Sequence, residues 1–358
     1  KGYVKVYDYI DSSWVQIGGT IYGEYPGDEG GRNIILTADG SRLAVATIQN
    51  RTGQYNNNNP NPDHALYYDR GGYVKVYDYI DSSWVQVGNT LKNSGVDRYY
   101  FSVQFHFGEH MSLSRDGRRL AVGAPRDQNA DFSNFSSQNV GRNTGQVRVY
   151  EYNDISWVQI GQTFRGIIRD EFFGRPELNY DGSKLAISSP LLEAAALNSI
   201  TVEPAHIITY NYDISSNLWV QYGKMGPIPN GHGTPPNENR KGTETGFSFK
   251  FNNDGNIITA GAPGRYYVGN GVFSQAEALQ RYEYIDSSWV TIGPKVAGVL
   301  RNMRDGEVVS ASQNFGNIIA VGTKRSQSIT DDGTNRGLVT MYEYNKTNAW
   351  IEIGKIYG

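Results

Sequence analysis

Residues 72–88, with the sequence GYVKVYDYIDSSWVQVG, decide how this chain folds, because close copies of them recur along its 358 residues. Every copy holds one tryptophan at the same position, and the chain has no other tryptophan. The six are Trp14, Trp84, Trp157, Trp219, Trp289 and Trp350, at steps of 70, 73, 62, 70 and 61 residues. Self-similarity at a period of this length indicates a repeat architecture.

Each copy of this stretch has the pattern of a β-hairpin. In residues 73–79 the tyrosines and Lys75 fall on one face of an extended chain and the valines and Asp78 on the other, a period-two pattern rich in strand formers. Residues 80–83 supply short side chains that favour a turn, and residues 84–88 alternate again as a returning strand. We call this predicted pair of strands the rim hairpin.

A second pattern lies between consecutive rim hairpins, and its first copy is residues 34–46, IILTADGSRLAVA. The Asp39-Gly40 pair predicts a tight hairpin with a type I′ turn, because both residue types accept positive φ angles. The strand after this tip is apolar and rich in small residues, so we expect it to be buried on both faces. We call this predicted pair of strands the hub hairpin. Its tip recurs as Asp116-Gly117, Asp181-Gly182 and Asp254-Gly255, with Phe315-Gly316 in the fifth copy.

Two hairpins per period predict a β-propeller, the architecture that repeats a four-stranded sheet. We therefore expect an all-β fold of four-stranded antiparallel blades, in one domain over residues 1–358, with the tryptophans packed between blades. A solenoid is the alternative, although solenoid repeats are generally shorter. The predicted segments are a rim hairpin at 2–18 and five complete blades at about 30–88, 105–161, 172–222, 245–293 and 309–354, in a closed ring of six or seven blades.

The rim hairpin at residues 2–18 has no hub half of its own in this sequence. The missing hub strands would come either from sequence beyond Gly358 or from a neighbouring molecule, and donated strands would build a head-to-tail fibre. Because the first residue is Lys1 rather than Met, we expect the chain to be a segment of a longer one.

The hub hairpins carry a recurrent pair of short motifs. Phe107-Gly108 precedes Gly123-Ala124-Pro125, Phe173-Gly174 precedes Ser189-Pro190, and Gly246-Phe247 precedes Gly261-Ala262-Pro263. In this respect the chain resembles the FG-GAP repeat proteins, which include the seven-bladed propeller of integrin α subunits. It departs from them at Gly30-Gly31 in the first copy and keeps only Gly322 of the second motif in the fifth. The resemblance implies a propeller fold and loops of the form D-x-D-x-D-G that bind calcium.

Composition narrows the classes of partner. A formal net charge of −3, without blocks of like charge, gives no electrostatic footprint for nucleic acid, and no apolar run is long enough to cross a bilayer. The chain has no cysteine, which excludes disulfides. Asn50, Asn134 and Asn345 begin N-x-S/T sequons, so we predict glycosylation there and an extracellular or cell-surface location.

Two patterns could carry catalysis, and we predict that neither does. Residues 106–110, HFGEH, match the H-x-x-E-H string of inverted zinc peptidases, but a glycine lies within the string and we align it with a strand, on which His106 and His110 would share a face. Glu109 and Glu177 are the acids nearest the predicted hub, too few for a glycosidase centre.

Calcium is the cofactor that remains an alternative. The loops at 46–71, 126–144, 190–204, 264–276 and 323–336 correspond to the calcium loops of integrin propellers, but none has the full ligand pattern. The nearest candidates for metal ligands are Asp127, Asp131, Asp331 and Asp332. We predict solvated turn carboxylates and no cofactor.

We predict that the protein is not an enzyme. We expect an extracellular structural or adhesion protein that uses its propeller for assembly or for contact with other proteins, and a surface filament is one setting that would suit it. The long polar loops and the 26 tyrosines suit a protein or glycan partner at the loop face. The alternatives are a carbohydrate- or calcium-dependent recognition module and a propeller glycoside hydrolase.

Overall fold

A computed structural model describes most of the chain, and every element in the part that it describes is a β-strand. The described residues are 1–24, 28–48, 71–93, 106–127, 143–167, 171–190, 205–226, 246–262, 265–269, 272–275, 278–297, 308–312, 316–327, 335–345 and 349–357. The chain divides into two compact units, Lys1–Ile167 and Ile168–Gly358.

The first unit holds an isolated rim hairpin and two blades, all antiparallel. The rim hairpin pairs β1 (Tyr3–Ile10) with β2 (Ser13–Tyr22). The first blade has the order β3 (Gly30–Leu36), β4 (Arg42–Thr47), β5 (Tyr73–Ile80) and β6 (Ser83–Gln86), with β7 (Leu91–Lys92) also paired to β5. The second blade has the order β8 (His110–Leu113), β9 (Arg119–Ala124), β10 (Gln146–Tyr152) and β11 (Trp157–Arg165).

The second unit holds three blades and one small additional hairpin. The third blade is β12 (Arg175–Leu178), β13 (Lys184–Ser189), β14 (His206–Asp213) and β15 (Leu218–Met225). The fourth is β16 (Ser248–Phe251), β17 (Ile257–Ala262), β20 (Ala278–Ile285) and β21 (Ser288–Ala297), and the fifth is β22 (Val308–Ala311), β23 (Ile318–Gln327), β24 (Asn335–Tyr344) and β25 (Trp350–Tyr357). The small hairpin pairs β18 (Arg265–Gly269) with β19 (Val272–Gln275).

The predicted fold class is confirmed: the protein is an all-β propeller of four-stranded antiparallel blades, in which each blade is a hub hairpin followed by a rim hairpin. The strand after each hub tip is the most buried element of its blade, as its small apolar residues predict. Within each unit the first strands of successive blades contact one another, β3 against β8 and β16 against both β12 and β22. This arrangement places the small-residue strands where the sheets are most crowded.

The two halves of the repeated Phe-Gly and Gly-Ala-Pro motifs meet across the hub hairpin. The Gly108 N–H donates to the Gly123 carbonyl at 2.9 Å, and Gly246 makes the same bond to Gly261 at 3.0 Å. Gly108 has a φ of +93°, and a Cβ on it would lie 2.7 Å from the Cβ of Ala46 in the preceding blade. Only glycine permits both the backbone angle and this approach of two blades.

Three of the described rim tips form type I′ turns, whereas the Asp-Gly tips of the hub hairpins, where these turns were predicted, do not. Asp11 and Ser12 have φ angles of +49° and +64° between the paired residues Ile10 and Ser13, which is a two-residue type I′ turn. At the hub tip only Gly40 has a positive φ, and its N–H donates to the Thr37 carbonyl at 2.9 Å. The prediction was wrong because four residues, not two, separate the hydrogen-bonded backbones of Thr37 and Arg42. The hub tip is therefore a loop longer than the two-residue type I′ turn, with Gly40 at its left-handed position.

Among the described residues, no helix is long and apolar enough to span a membrane.

Candidate partner-binding site on the N-terminal hairpin

Two rim hairpins of the first unit have the same sequence in different surroundings. Residues 2–16 and 72–86 are identical, but β5 pairs with the hub hairpin of its blade, whereas β1 pairs only with β2 among the strands that the structure describes. Tyr73 is 5% exposed and its equivalent Tyr3 is 61% exposed. The hydroxyl of Tyr73 donates to Asp28 Oδ2 at 2.9 Å, and burial raises the pKa of Tyr73 to about 12. The N-terminal hairpin is therefore a rim hairpin whose tyrosine face is open to solvent.

A second open surface lies beside this hairpin on β3. Ile34 pairs with Val45 on β4, as Met111 pairs with Val122 one blade later, so Ile34 and Met111 occupy equivalent positions. Met111 is 7% exposed and packs in the core between the first and second blades, but Ile34 is 50% exposed. Apolar side chains that are buried in one repeat are thus solvent-accessible in the other.

These surfaces border one open groove with a volume of about 470 Å³. Its walls come from β1, β2, β3 and β4, and they include Val4, Val6, Trp14, Ile34, Leu36 and Leu43. Val4 and Val6 also pack on Leu43 and Val45, which attaches the hairpin to the first blade. The groove is therefore continuous with an apolar interface that is already formed.

A backbone hydrogen bond that recurs in all five blades is replaced in the N-terminal hairpin. In each blade a tyrosine N–H near the end of the rim strand donates to a carbonyl just after the hub tip, at 2.6 to 2.9 Å. The donors and acceptors are Tyr79 and Ser41, Tyr152 and Arg118, Tyr212 and Ser183, Tyr284 and Asn256, and Tyr344 and Asn317. The equivalent Tyr9 N–H donates instead to the Oδ1 of its neighbour Asp8, at 2.8 Å. Asp8 therefore substitutes for a hub strand at this position.

The same aspartate position binds a hub residue in the first blade. Asp78 accepts two hydrogen bonds from the Arg42 guanidinium, at 2.6 and 2.8 Å, and this pairing raises the pKa of Arg42. Arg42 also donates to the Gly117 carbonyl at 2.8 Å and lies 4.7 Å from the ring centroid of Tyr152, both in the second blade. Arg42 thus connects two blades, a role that inspection of the sequence missed. A basic residue at equivalent positions, Arg119 and Lys184, was the available signal.

The tryptophans pack on glycines of the preceding rim hairpin. The indole N–H of Trp84 donates to the Ile17 carbonyl at 3.2 Å, and a Cβ on Gly18 would lie 2.6 Å from Trp84 Cδ1. Trp157 covers Gly88 in the same way, and Trp289 covers Gly223 in the second unit. Trp14 is 71% exposed, against 3% for Trp157. Of the other two predicted packing residues, Trp219 is buried and Trp350 packs against the core of the fifth blade.

The H-x-x-E-H string does not form the strand that we expected. His106 has a φ of +53° and lies in a turn before β8, which begins at His110, so the two histidines do not share a strand face. His106 Nδ1 lies 2.8 Å from Glu109 Oε2. Burial acts to raise the pKa of Glu109, but the hydrogen bond with His106 and the positive charges of His110 and Arg126 outweigh it and lower this pKa to about 2. Glu109 is therefore a hydrogen-bond partner of His106 within the turn before β8.

The described residues contain no group of three or more histidine or acidic side chains that could hold a metal ion. Asp127 is buried, and its Oδ2 accepts a hydrogen bond from Asn93 Nδ2 at 3.3 Å. The other calcium candidates, Asp131, Asp331 and Asp332, lie outside the described residues. Glu177 binds Lys250 at 2.8 Å, across the third and fourth blades.

Glycosylation of the three sequons stays a prediction. Asn50 and Asn134 lie outside the described residues. Asn345 lies in the turn between β24 and β25, where its Oδ1 accepts the Ala349 N–H at 2.9 Å.

Comparison with known proteins assigns the chain to no family. No protein-family model matches the chain, and no curated protein matches its sequence, so the FG-GAP assignment is not confirmed. Hydrazine synthase of Kuenenia stuttgartiensis is similar in structure, with a TM-score of 0.46 and 13% identity over 94% of this chain and 69% of that one. A Bacteroides fragilis protein provisionally assigned as a 6-phosphogluconolactonase has a TM-score of 0.46 and 10% identity, and the match covers 99% of this chain and 93% of that one. A protein of Agrobacterium tumefaciens provisionally assigned as TolB has a TM-score of 0.42 and 11% identity, and the match covers 91% of this chain and 80% of that one.

These comparisons correct one prediction. We inferred from the repeat architecture that the chain is not an enzyme, but similar structures include hydrazine synthase and a protein provisionally assigned as a lactonase. The inference was wrong because a propeller fold is compatible with catalysis, and a fold does not set a function. With TM-scores of 0.46 or less and identities of 13% or less, the likeness assigns no activity to this chain.

Proposed function

We propose that this protein is a β-propeller assembly module that binds another polypeptide through the open face of its N-terminal hairpin. The observation that carries the proposal is the difference in burial between equivalent residues of successive repeats. Ile34 and Trp14 are half or more exposed, whereas Met111 and Trp157 are buried between two blades. Folded proteins rarely expose such continuous apolar surface unless it serves an interaction.

The chemistry of the face favours a polypeptide over a sugar or a small ligand. The groove is open and lined mainly by aliphatic side chains, and it lies beside a strand edge that carries backbone donors and acceptors. A polypeptide can satisfy both the apolar surface and the strand edge, because it supplies side chains and a backbone together.

A displayed peptide library, selected on the immobilised chain, tests the proposal. The Trp14→Ser/Ile34→Ser double variant removes two apolar walls of the groove. The Ile155→Ser/Ile214→Ser double variant is the matched control, because Ile155 and Ile214 are 81% and 79% exposed at rim tips far along the chain from the groove. We expect selected peptides that bind the wild type and the control but not the groove variant.

Peptides that bind all three proteins equally, or no enrichment at all, would refute the proposed role of this face. Circular dichroism and thermal melting must show that the groove variant stays folded. This outcome is expected, because substitutions at exposed positions generally change stability by no more than about 0.5 kcal/mol.

An extracellular or cell-surface location belongs to the same proposal, and its support is the set of sequons at Asn50, Asn134 and Asn345. A mass shift on enzymatic deglycosylation of protein from its native source would support it, and an unmodified mass would count against it.

A further inference from the structure

We propose that the partner docks as a β-hairpin of the hub type, which adds its second strand antiparallel to the free edge of β1 and fills the adjoining groove. The inference rests on the proposed function and adds to it the chemistry of the partner. It follows from treating the first blade, whose rim strand has the same sequence as β1, as the template for the completed site.

The edge of β1 offers the backbone groups that a hub strand uses. In the first blade β4 pairs with β5 from Thr47 opposite Tyr73 to Arg42 opposite Asp78. The Tyr79 N–H points to this hub side, and in an antiparallel ladder alternate residues point the same way. The N–H groups of Lys5, Tyr7 and Tyr9 therefore point to the free edge of β1. The Tyr9 N–H, now bonded to Asp8, is released to the incoming strand.

The first blade indicates that the partner strand carries small apolar side chains. In the first blade Ala44 and Ala46 of the hub strand are fully buried beside Val74 and Val76, in the core that also contains Met111. Val4 and Val6 are the equivalents of those valines, and Ile34 is the equivalent of Met111. A strand with alanine or valine at alternate positions would cover them as β4 covers their counterparts.

Charge selects a basic residue two positions after the tip glycine of the partner. Asp8 is the equivalent of Asp78, which binds Arg42 through both carboxylate oxygens. An arginine at that position would reach Asp8, and its guanidinium would lie over Tyr79 and Trp84, as Arg42 lies 4.7 and 5.9 Å from the ring centroids of Tyr152 and Trp157. A bidentate arginine–carboxylate pair gives both affinity and register.

The probe is a synthetic peptide with the sequence of residues 32–48, RNIILTADGSRLAVATI, which contains the β3 and β4 hairpin segment. We expect saturable one-to-one binding of the labelled peptide to the folded chain by fluorescence anisotropy, and no binding of a scrambled peptide. Hydrogen exchange should slow at the backbone amides of Lys5, Tyr7 and Tyr9 when the peptide binds, since these become ladder hydrogen bonds.

A charge exchange tests the register without threatening the fold. Replacing the peptide arginine with glutamate, the change Arg42→Glu, should weaken binding to the wild-type chain roughly ten-fold. The Asp8→Lys chain should bind this altered peptide better than the original one. Glu343→Lys is the matched control, because Glu343 is the equivalent exposed acid in the fifth blade, where β24 already pairs with β23, and it should not alter the preference.

The possible results distinguish the proposed function from the proposed mode of docking. Library peptides that depend on the groove, together with a residue 32–48 peptide that fails to bind, would overturn this inference and leave the proposed function standing. If neither the library peptides nor the residue 32–48 peptide binds, the proposed function and this inference are both refuted. Binding of the peptide without protection of Lys5, Tyr7 and Tyr9, or without the charge exchange, would also overturn the inference. So would a dimer formed through Trp14 that the peptide does not displace, because a second copy would then occupy the groove without a hub hairpin.

Discussion

At the scale of the residue, glycines beneath tryptophans set how closely neighbouring rim hairpins approach. Gly88 combines a φ of +70° with a Trp157 indole that a Cβ would meet at 2.7 Å. Gly40 at the first hub tip has a φ of +72°, but a Cβ there would meet nothing within 4 Å. A substitution at Gly40 therefore introduces only backbone strain, whereas one at Gly88 adds a clash with the indole of Trp157.

We predict that Gly88→Ala destabilises the protein more than Gly40→Ala. Left-handed backbone costs an alanine about 1–2 kcal/mol at both positions, and overpacking against Trp157 adds about 1–3 kcal/mol at Gly88 alone. Urea unfolding followed by tryptophan fluorescence measures the difference. Equal losses at the two glycines would show that the indole moves away at no cost.

A second residue-scale prediction concerns pH. The pKa of Glu109 in the folded protein is about 2, below its usual value of 4.5, so its ionised form stabilises the fold at and above the unfolded pKa. This contribution is lost as the pH falls from about 4.5 towards 2. We expect Glu109→Gln to lose on the order of 2 kcal/mol at neutral pH and to show a smaller further loss in that acidic range than the wild type.

Thermal melting across this pH range, with Glu352→Gln as the control, measures the effect. Glu352 pairs with Lys355 on an exposed strand, so its variant should follow the wild-type curve. Parallel curves for Glu109→Gln and the wild type would contradict the assigned pKa.

At the scale of the element, the two hairpins of a blade differ in how their turns are made. Three rim tips hold aspartate and serine in the left-handed region, with φ angles of +47° at Asp81 and +62° at Ser82 in the first blade. Residues other than glycine pay a steric cost there, and Asn-Gly is the preferred pair for a type I′ turn. The hub tips already place glycine at their left-handed position.

We therefore predict that the double change Asp81→Asn/Ser82→Gly raises the free energy of unfolding by about 1 kcal/mol. The matched control is Asp254→Asn at a hub tip, where Gly255 alone has a positive φ, so no gain is expected. Chemical denaturation measures both. A gain at the hub tip, or none at the rim tip, would mean that backbone strain does not limit these turns.

The elements also show how far pattern reasoning reaches. Alternation of valine and tyrosine, small residues after the hub tip and the spacing of the tryptophans predicted the strands and their grouping into blades. The type I′ turn was wrongly assigned to the hub tips because loop length depends on which backbones pair across the hairpin, and short-range sequence does not state this. Arg42 was missed for a related reason, since its partners Asp78 and Gly117 are 36 and 75 residues away in the chain.

At the scale of the whole molecule, repetition makes each blade a reference for the others. Five blades make the same tyrosine-to-hub backbone bond, and the N-terminal hairpin alone replaces it with a bond to its own aspartate. The proposed function rests on the difference in burial between equivalent residues of successive repeats, and the replaced bond marks the same hairpin as the exception. The similar structures do not choose between binding and catalysis, because their identities are 13% or less and their TM-scores 0.46 or less.

The sequence by itself determined the repeat, the all-β class and the blade as the unit, because strand periodicity and glycine positions are local properties of the chain. It could not determine the candidate site. Residues 2–16 and 72–86 are the same letters, yet Tyr3 is open to solvent and Tyr73 is buried. Burial depends on which other segments pack against a residue, and only the tertiary structure decides that. Tyr73 lies beside Ile21 and Tyr22 of the preceding hairpin and its hydroxyl bonds to Asp28, whereas Tyr3 stays 61% exposed.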